Sequence, residues 1–388
     1  MIHPKNILFV SPFFYPEPIS TGKFNTEIVI ELAKKGHKVT VLCFHPLYPN
    51  WKIEKSNAVL ENIKIIRGGR YLVFSNNSYL RRLILEISFA LFIIRNLFKF
   101  QKEYNLLIAV FPPSFYLFTV FKILKKNTRI IGMVHDLQQI YSSEKKGFFN
   151  KLITTVISKI EKGTLQNCDK LIFLSEEMKC EAEKMYNLNS INCSVQYPFH
   201  SLDITISCDL DQILRNDVKN IVYSGALGEK QNPYELYEFF DFVAKKSENI
   251  EFHIFSKGFI FNDLRLKNRS NKIKFHDLVK SDNLTELYIR SDIQIIPQKP
   301  NTSKGSFPSK LPNLLVSGTN LLVITDKNSE LESFFNKYNL TQTVNSWNFD
   351  NLLEVVNNIL LKPKINNHHI KIAKELFTID EMITKILT

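Results

Sequence analysis

The sequence predicts an α/β protein made of two doubly wound domains, each a parallel sheet covered by helices. Three observations predict it. Short apolar runs of strand length alternate with helix-length segments along almost the whole chain. The alternation lapses once, near the middle. At 388 residues, the chain is also longer than a single core usually grows.

In the first half the apolar runs fall at 7–11, 39–44, 63–67, 106–111, 130–134 and 171–175, and a second series follows at 221–224, 252–255, 273–275, 293–297 and 321–325. Between the series, 197–217 carries Pro198, several aspartates and little periodicity, which reads as a junction. The expected organisation is a first domain at 1–197, a junction at 198–217, a second domain at 218–365, and a helical tail at 366–388 packing back on the first domain. Doubly wound sheets bind ligands beyond the carboxyl ends of their strands, so candidate residues should stand just after strands, and two such domains would face a cleft.

Composition narrows the class. Hydrophobic residues make up 44% of the chain, with 31 Phe and only 12 Gly, which excludes a disordered or fibrous protein. Cys43, Cys168, Cys180, Cys193 and Cys208 form no C-x-x-C pair and read as buried, reduced thiols in a cytosolic protein. The amino-terminal apolar run is broken by Pro12, Pro16 and Pro18, so no secretion signal is expected. The most lipid-like stretch, 83–100, contains Glu86 and Arg95 and is too polar to span a bilayer. It reads as a core helix or as an amphipathic face on a membrane.

Charge is one-sided. Residues 1–200 hold 27 Lys and Arg against 15 Asp and Glu, whereas the remainder holds 23 of each. A basic half suits an anionic bilayer or a lipid-linked diphosphate. Nucleic acid is disfavoured, because no helix-turn-helix, finger or ribonucleoprotein-type motif accompanies the charge.

The most informative stretch is 305–325, GSFPSKLPNLLVSGTNLLVIT. Ser309 is a good N-cap, Pro312 is tolerated in a first turn, and Gly318 supplies the left-handed residue that stops a short helix. Lys310 at such a helix start would make an anion site fit for a diphosphate; an ordinary helix before a buried strand is the alternative. In VYSGALGEKQNP, Gly225 and Gly228 would let backbone approach phosphates and Lys230 would neutralise them, although the spacing is not a Walker loop.

Weaker signals complete the set. The loop 11–22 ends in Gly22 before a helix expected near Lys23, and would serve as an acceptor or phosphate loop or as a tight turn. His135 and Asp136 end an apolar run where polar side chains would meet a ligand; Asp136 could equally cap a helix. Ser329 with Glu332 reads as a capping box, beside which Glu330 could bond a ribose or serve the helix dipole. Asp209-Leu210-Asp211 spells a metal-binding D-x-D string, but in the junction it reads as coincidence, and His368-His369 reads as solvated.

With these residues in hand, the chain resembles the retaining glycosyltransferases of family four, which have the GT-B fold of two Rossmann-like domains. The similarity lies in 5–42, in VHDLQQIY, in NCDKLIFLSEEMK, in YSGALGEKQNP and in PSKLPNLLVSGTNLLVI. Within the family, FPSKLPNLLVSG and SELESF look closest to the colanic-acid biosynthesis branch, which includes fucosyltransferases. The family's usual two glutamates, eight residues apart, would fall on Gly305 and Asn313, and neither is acidic.

The resemblance implies transfer of a sugar, with retention and without a metal or other cofactor, from a nucleotide sugar to a polyprenyl-linked glycan of a surface polysaccharide. The enzyme would work in the cytoplasm, peripheral at the membrane. Gly225, Lys230, Ser309 and Lys310 would hold the donor diphosphate, Asn313 and Glu330 the donor sugar or ribose, and Asp136 and His135 would join Lys310 in catalysis. A sugar-nucleotide epimerase, or a silent nucleotide-sugar-binding subunit, would be built from the same parts.

Overall fold

The structure, a computed structural model, describes all residues except 1–3, 18, 49, 76, 101–103, 118–119, 121–127, 138–157, 203–208 and 303–306. Two compact units form: 1–197 together with 379–388, and 198–378. In the first, β1 (Asn6–Val10), β2 (Lys38–Phe44), β3 (Ile63–Gly68), β4 (Leu106–Phe111), β5 (Arg129–Val134), β6 (Lys170–Phe173) and β7 (Cys193–Val195) lie in the order β3-β2-β1-β4-β5-β6-β7. The second holds β8 (Lys219–Ser224), β9 (Ile250–Phe255), β10 (Ile273–His276), β11 (Ile293–Pro297), β12 (Leu321–Ile324) and β13 (Thr343–Val344), in the order β10-β9-β8-β11-β12-β13.

Neighbouring strands of both sheets pair in parallel. Parallel sheets are covered on both faces, which is why β4 (LLIAVF) is buried at every position and reads as a continuous apolar run. The expected runs correspond to β1–β6 and β8–β12. β7 and β13 span three and two residues at sheet edges, too short to show a period. Strand order reverses between β1 and β4 in one sheet and between β8 and β11 in the other, and each reversal opens a crevice at the strands' carboxyl ends.

Helix α1 (Ser20–Lys34) starts earlier than the sequence suggests, so Gly22 lies in its first turn rather than in the loop. The loop before it is tied down by Glu17, whose carboxylate accepts the amides of Leu47 and Tyr48 at 3.0 and 2.8 Å. A Cβ on Gly22 would meet the Glu17 Cβ at 2.9 Å, so this glycine serves the packing of Glu17. In α2 (Ser78–Phe100), Leu85, Phe89, Ile93 and Leu97 enter the core, and the buried Glu86 accepts the amides of Ser114 and Phe115 at 2.9 and 3.1 Å.

The helical tail divides between the units. Ile379–Leu387 belongs with the first, where Asp380 pairs at 2.7 Å with Lys35, the residue that caps the end of α1. Asn367–Leu376 stays in the second, packed on Leu311–Val316. The reason is His369, expected in solvent but fully buried. Its Nδ1 donates to the Thr319 carbonyl at 3.1 Å while Nε2 faces the Thr341 hydroxyl at 3.3 Å, and burial pushes its pKa down to about 4, so it stays neutral.

One further expectation changes. Cys43, Cys168 and Cys193 are buried, but Cys180 is exposed on the outer face of Glu176–Tyr186; Cys208 lies outside the described residues. Asp209 is a structural residue: its amide and that of Leu210 donate to the buried Glu286 at 3.0 and 3.2 Å, and its own carboxylate accepts from Asn283 at 3.0 Å.

Gly318 ends the helix Leu311–Val316 at φ +72°, and an added Cβ would press on Ile365 and Ile370 at 3.0 Å. Gly318→Ala should therefore destabilise the second unit by about 1–3 kcal/mol, read as a lower denaturant midpoint.

Candidate active site

In the second unit a cavity of about 410 Å³ opens at the carboxyl ends of β8 and β11, where the strand order reverses. Its wall brings together Gly225, Lys230, Ser309 and Lys310. The registered pairing of β8 with β11 covers only Ile221–Ile293 and Val222–Gln294. Past that pairing Lys310 spans the two strands: its Nζ donates to the Ser224 carbonyl at 3.1 Å and to the Ile295 carbonyl at 3.0 Å, above the Tyr223 ring at 4.6 Å.

Lys310 as a residue is half-buried, but its amine is enclosed, and desolvation pulls its pKa from 10.5 to about 7. A neutral amine has two N–H donors, and two carbonyls receive them. The protonated form carries a third donor and a full charge beside the cavity. The group is thus poised to take up a proton when an anion arrives.

The loops around it are fixed. Gly225 sits at φ +129°, a conformation that side chains rarely adopt, and so turns the chain sharply out of β8. The Gly228 amide donates to Gln231 Oε1 at 3.1 Å, and the Lys230 carbonyl accepts the Lys299 amide at 2.8 Å, joining the loop after β8 to the loop after β11.

The local reading of the Lys310 stretch changes in one respect. Lys310, not Ser309, occupies the cap of Leu311–Val316, a helix of six residues. Pro308 starts a tight turn in which its carbonyl accepts the Leu311 amide at 3.0 Å, leaving Ser309 exposed on the corner. Pro312 is in the first turn and Gly318 at the stop, as expected. Gly305 lies outside the described residues.

Asn313 and Glu330 do not line the cavity. The Asn313 side-chain oxygen accepts the Ser201 amide at 2.8 Å, a contact within the second unit that sequence proximity could not reveal. Glu330 opens the helix Glu330–Lys337 behind its cap Ser329, whose hydroxyl accepts the Glu332 amide at 3.1 Å. The reciprocal bond of that capping box shifts by one residue: the Glu332 carboxylate takes the Asn328 amide at 2.5 Å. The sequence reading missed the cavity's other wall, Phe255, Leu278, Val279, Leu284 and Tyr288, because these residues look like ordinary core.

In the first unit His135 follows β5, and its ring packs edge-to-face with that of Phe24 of α1 at 5.1 Å. His135 Nε2 is buried without a hydrogen-bond partner, and burial lowers the ring's pKa to about 4. Asp136 next to it is exposed. Whether Asp136 caps a helix concerns residues from 138 onward, outside those described.

Tyr116 closes the crevice of this unit, its hydroxyl 3.2 Å from the Val110 carbonyl and 3.5 Å from that of Val10. The two crevices are thus closed by different groups, a neutral phenol in the first and an ionisable amine in the second.

Comparison with known proteins places this geometry. Residues 21–203 match Glycosyltransferase Family 4. The Escherichia coli (strain K12) protein named colanic acid biosynthesis glycosyl transferase WcaI is 25% identical over 377 residues, with 91% of each chain covered. Among solved structures, sucrose-phosphate synthase from Thermosynechococcus elongatus superposes with a TM-score of 0.72 at 14% identity, covering 98% of this chain and 97% of that one. WaaG, a glycosyltransferase involved in lipopolysaccharide biosynthesis, gives 0.67 at 15%, covering 98% and 99%. A trehalose-6-phosphate protein from E. coli, bound with UDP-2-fluoro glucose, gives 0.65 at 12%, covering 98% and 96%.

The enclosed amine predicts a pH signature. Between about 7 and 10.5 the unfolded chain holds a proton on Lys310 that the folded chain has released, so this residue makes stability rise with pH across that window. Lys310→Met should flatten the rise, measured as the difference in urea midpoint between the two ends of the window.

Proposed function

The chain is a glycosyltransferase of the GT-B fold whose residues 21–203 belong to family 4, and from that premise we propose that its second unit binds a nucleoside diphosphate sugar. The sugar would pass to a polyprenyl-linked glycan in the synthesis of a surface polysaccharide, at the cytoplasmic face of the membrane, with retained configuration and no metal. The observation that carries the donor reading is Lys310 at the reversal of strand order, a buried amine spanning Ser224 and Ile295 on the wall of a cavity. The names of two similar proteins support the polysaccharide and nucleotide-sugar parts of this reading: WcaI is named for colanic acid biosynthesis, and the trehalose-6-phosphate protein holds a UDP sugar.

In this reading the diphosphate lies against Gly225, Lys230, Ser309 and Lys310, and the base against the apolar wall around Phe255 and Leu284. As the bond from the anomeric carbon to the diphosphate oxygen breaks, negative charge grows on the departing phosphate. A preorganised cation in a partly enclosed site stabilises that charge more than it stabilises the intact donor. The acceptor hydroxyl bonds to the anomeric carbon on the face the phosphate leaves, and its proton passes to the phosphate oxygen. No protein nucleophile is needed.

In the first unit, the neutral His135 with its unsatisfied Nε2 and the exposed Asp136 offer one polar atom and one carboxylate to a sugar hydroxyl, so they orient the acceptor. Asn313 and Glu330 lie off the cavity wall and take no part in this scheme.

Lys310→Ala should lower turnover by roughly 10²- to 10³-fold with the fold intact, in line with losing one key electrostatic donor. Transfer at the parent rate would remove Lys310 from the mechanism. Turnover of a nucleotide sugar with no acceptor present would instead indicate an epimerase.

A second outcome follows from the depressed pKa of Lys310. Binding of UDP or GDP, whichever the site prefers, should draw up to one proton from a mildly alkaline buffer, because the anion favours the charged amine. Calorimetry in buffers of different ionisation enthalpy reads this uptake, and Lys310→Met should abolish it.

A further inference from the structure

A cavity of about 740 Å³ opens at the amino ends of β1, β2 and β3, the end of the first sheet opposite to the one that His135 follows. Its volume falls within the range of about 300–1,000 Å³ typical of small-molecule sites. Strand register builds one wall. Asn6 pairs with Lys38 across β1 and β2, and Thr40 pairs with Lys64 across β2 and β3. Lys38 and Thr40 are two residues apart on one strand, so all four side chains share a face of the sheet. Farther along, the same face carries Leu8, Leu42 and Phe44 into the core. Its amino end is polar and doubly cationic.

His37, which joins α1 to β2, supplies the observation that points to a ligand. It belongs to the cavity wall and is 4% exposed, and its Nδ1 accepts the Lys5 amide at 3.1 Å. Burial, with Lys5 beside it, lowers the ring's pKa and keeps it neutral. A neutral imidazole that accepts at Nδ1 carries its proton on Nε2. That N–H finds no acceptor among the described residues. A buried donor left unpaired is costly, and a ligand oxygen would relieve the cost.

The wall also selects the ligand's sign. Among the described residues that line the cavity none is acidic, and two are lysines. The carboxyl end of α1, whose dipole would repel an anion, reaches the cavity at Ala33 and Gly36. Its last carbonyls are already occupied: those of Glu31, Leu32 and Ala33 accept the amides of Lys35, His37 and Gly36 at 3.0, 3.2 and 3.0 Å.

We propose that this cavity binds a small phosphate monoester. Lys38 and Lys64 balance a group that carries a charge of about −1.5 to −2 and offers three acceptor oxygens, one of which takes the His37 Nε2–H. Asn6, Asn62 and Tyr104 line the remaining wall and suit the hydroxyls of a sugar attached to that phosphate. A carboxylate carries only one charge for the two lysines, and a divalent cation would be repelled by both. The site goes beyond the transfer reaction, since it shares no residue with the cavity around Lys310.

The test is calorimetric titration of the full chain with glucose 6-phosphate, with glucose as the uncharged control. The parent should bind the ester and not the sugar, and inorganic phosphate should compete. The double variant K38Q/K64Q should weaken binding about tenfold or more while keeping the parent's melting temperature, since both side chains are exposed. His37→Phe, which removes the unpaired donor, should weaken it several-fold; should that variant fold poorly, the lysine pair decides. Lys310→Met separates the two cavities and should leave this binding unchanged. A parent that binds the ester no better than glucose, or a K38Q/K64Q chain that binds it like the parent, overturns the proposal. Binding that disappears in the Lys310→Met chain would also overturn it, assigning the phosphate to the second unit.

Discussion

A buried lysine amine held by two backbone carbonyls at the point where a sheet reverses its order organises the second unit. The sheet must part there, because crossovers leave β8 and β11 in opposite directions, and a parting sheet exposes backbone acceptors at its carboxyl end. Lys310 answers both halves of that constraint. It bridges Ser224 and Ile295, and it keeps an ionisable group at the rim of the cavity that the parting creates. The helix it caps is short, but that helix is anchored by Gly318 and by the helix carrying His369, so the lysine is positioned by packed structure rather than by a free loop.

The first unit solves the same topological problem without charge. Its crevice between β1 and β4 is closed by the hydroxyl of Tyr116, and its loop is secured by Glu17 against the amides of Leu47 and Tyr48. Burial raises the Glu17 pKa despite those two bonds, a sign that the loop tolerates a costly carboxylate to hold its shape. The two crevices therefore differ in chemistry, a buried phenol in the first unit and an ionisable amine in the second.

Several polar side chains are held by partners that the sequence does not reveal: Asp209 accepts from Asn283, Asn313 accepts the Ser201 amide, and His369, expected in solvent, is buried against the Thr319 carbonyl. The same holds for apolar residues. Phe255, Leu278 and Leu284 look like core filling, yet they form a cavity wall. The cause is common: a side chain's partner is set by contacts tens of residues away, and local pattern carries no record of them.

The strands were legible because parallel sheets buried on both faces need unbroken apolar runs, and the two-unit organisation was legible because those runs stop near residue 200. The motif around Lys310 was legible for a local reason too, since Pro312 and Gly318 restrict backbone angles whatever surrounds them. Tertiary structure alone decided which polar groups are free to meet a ligand. It enclosed Lys310 and shifted its proton affinity, left His135 Nε2 unsatisfied, and turned Glu86 inward so that the leucines of α2 face out. Those outcomes depend on desolvation and on long-range partners, which arise only when distant segments of the chain are brought together.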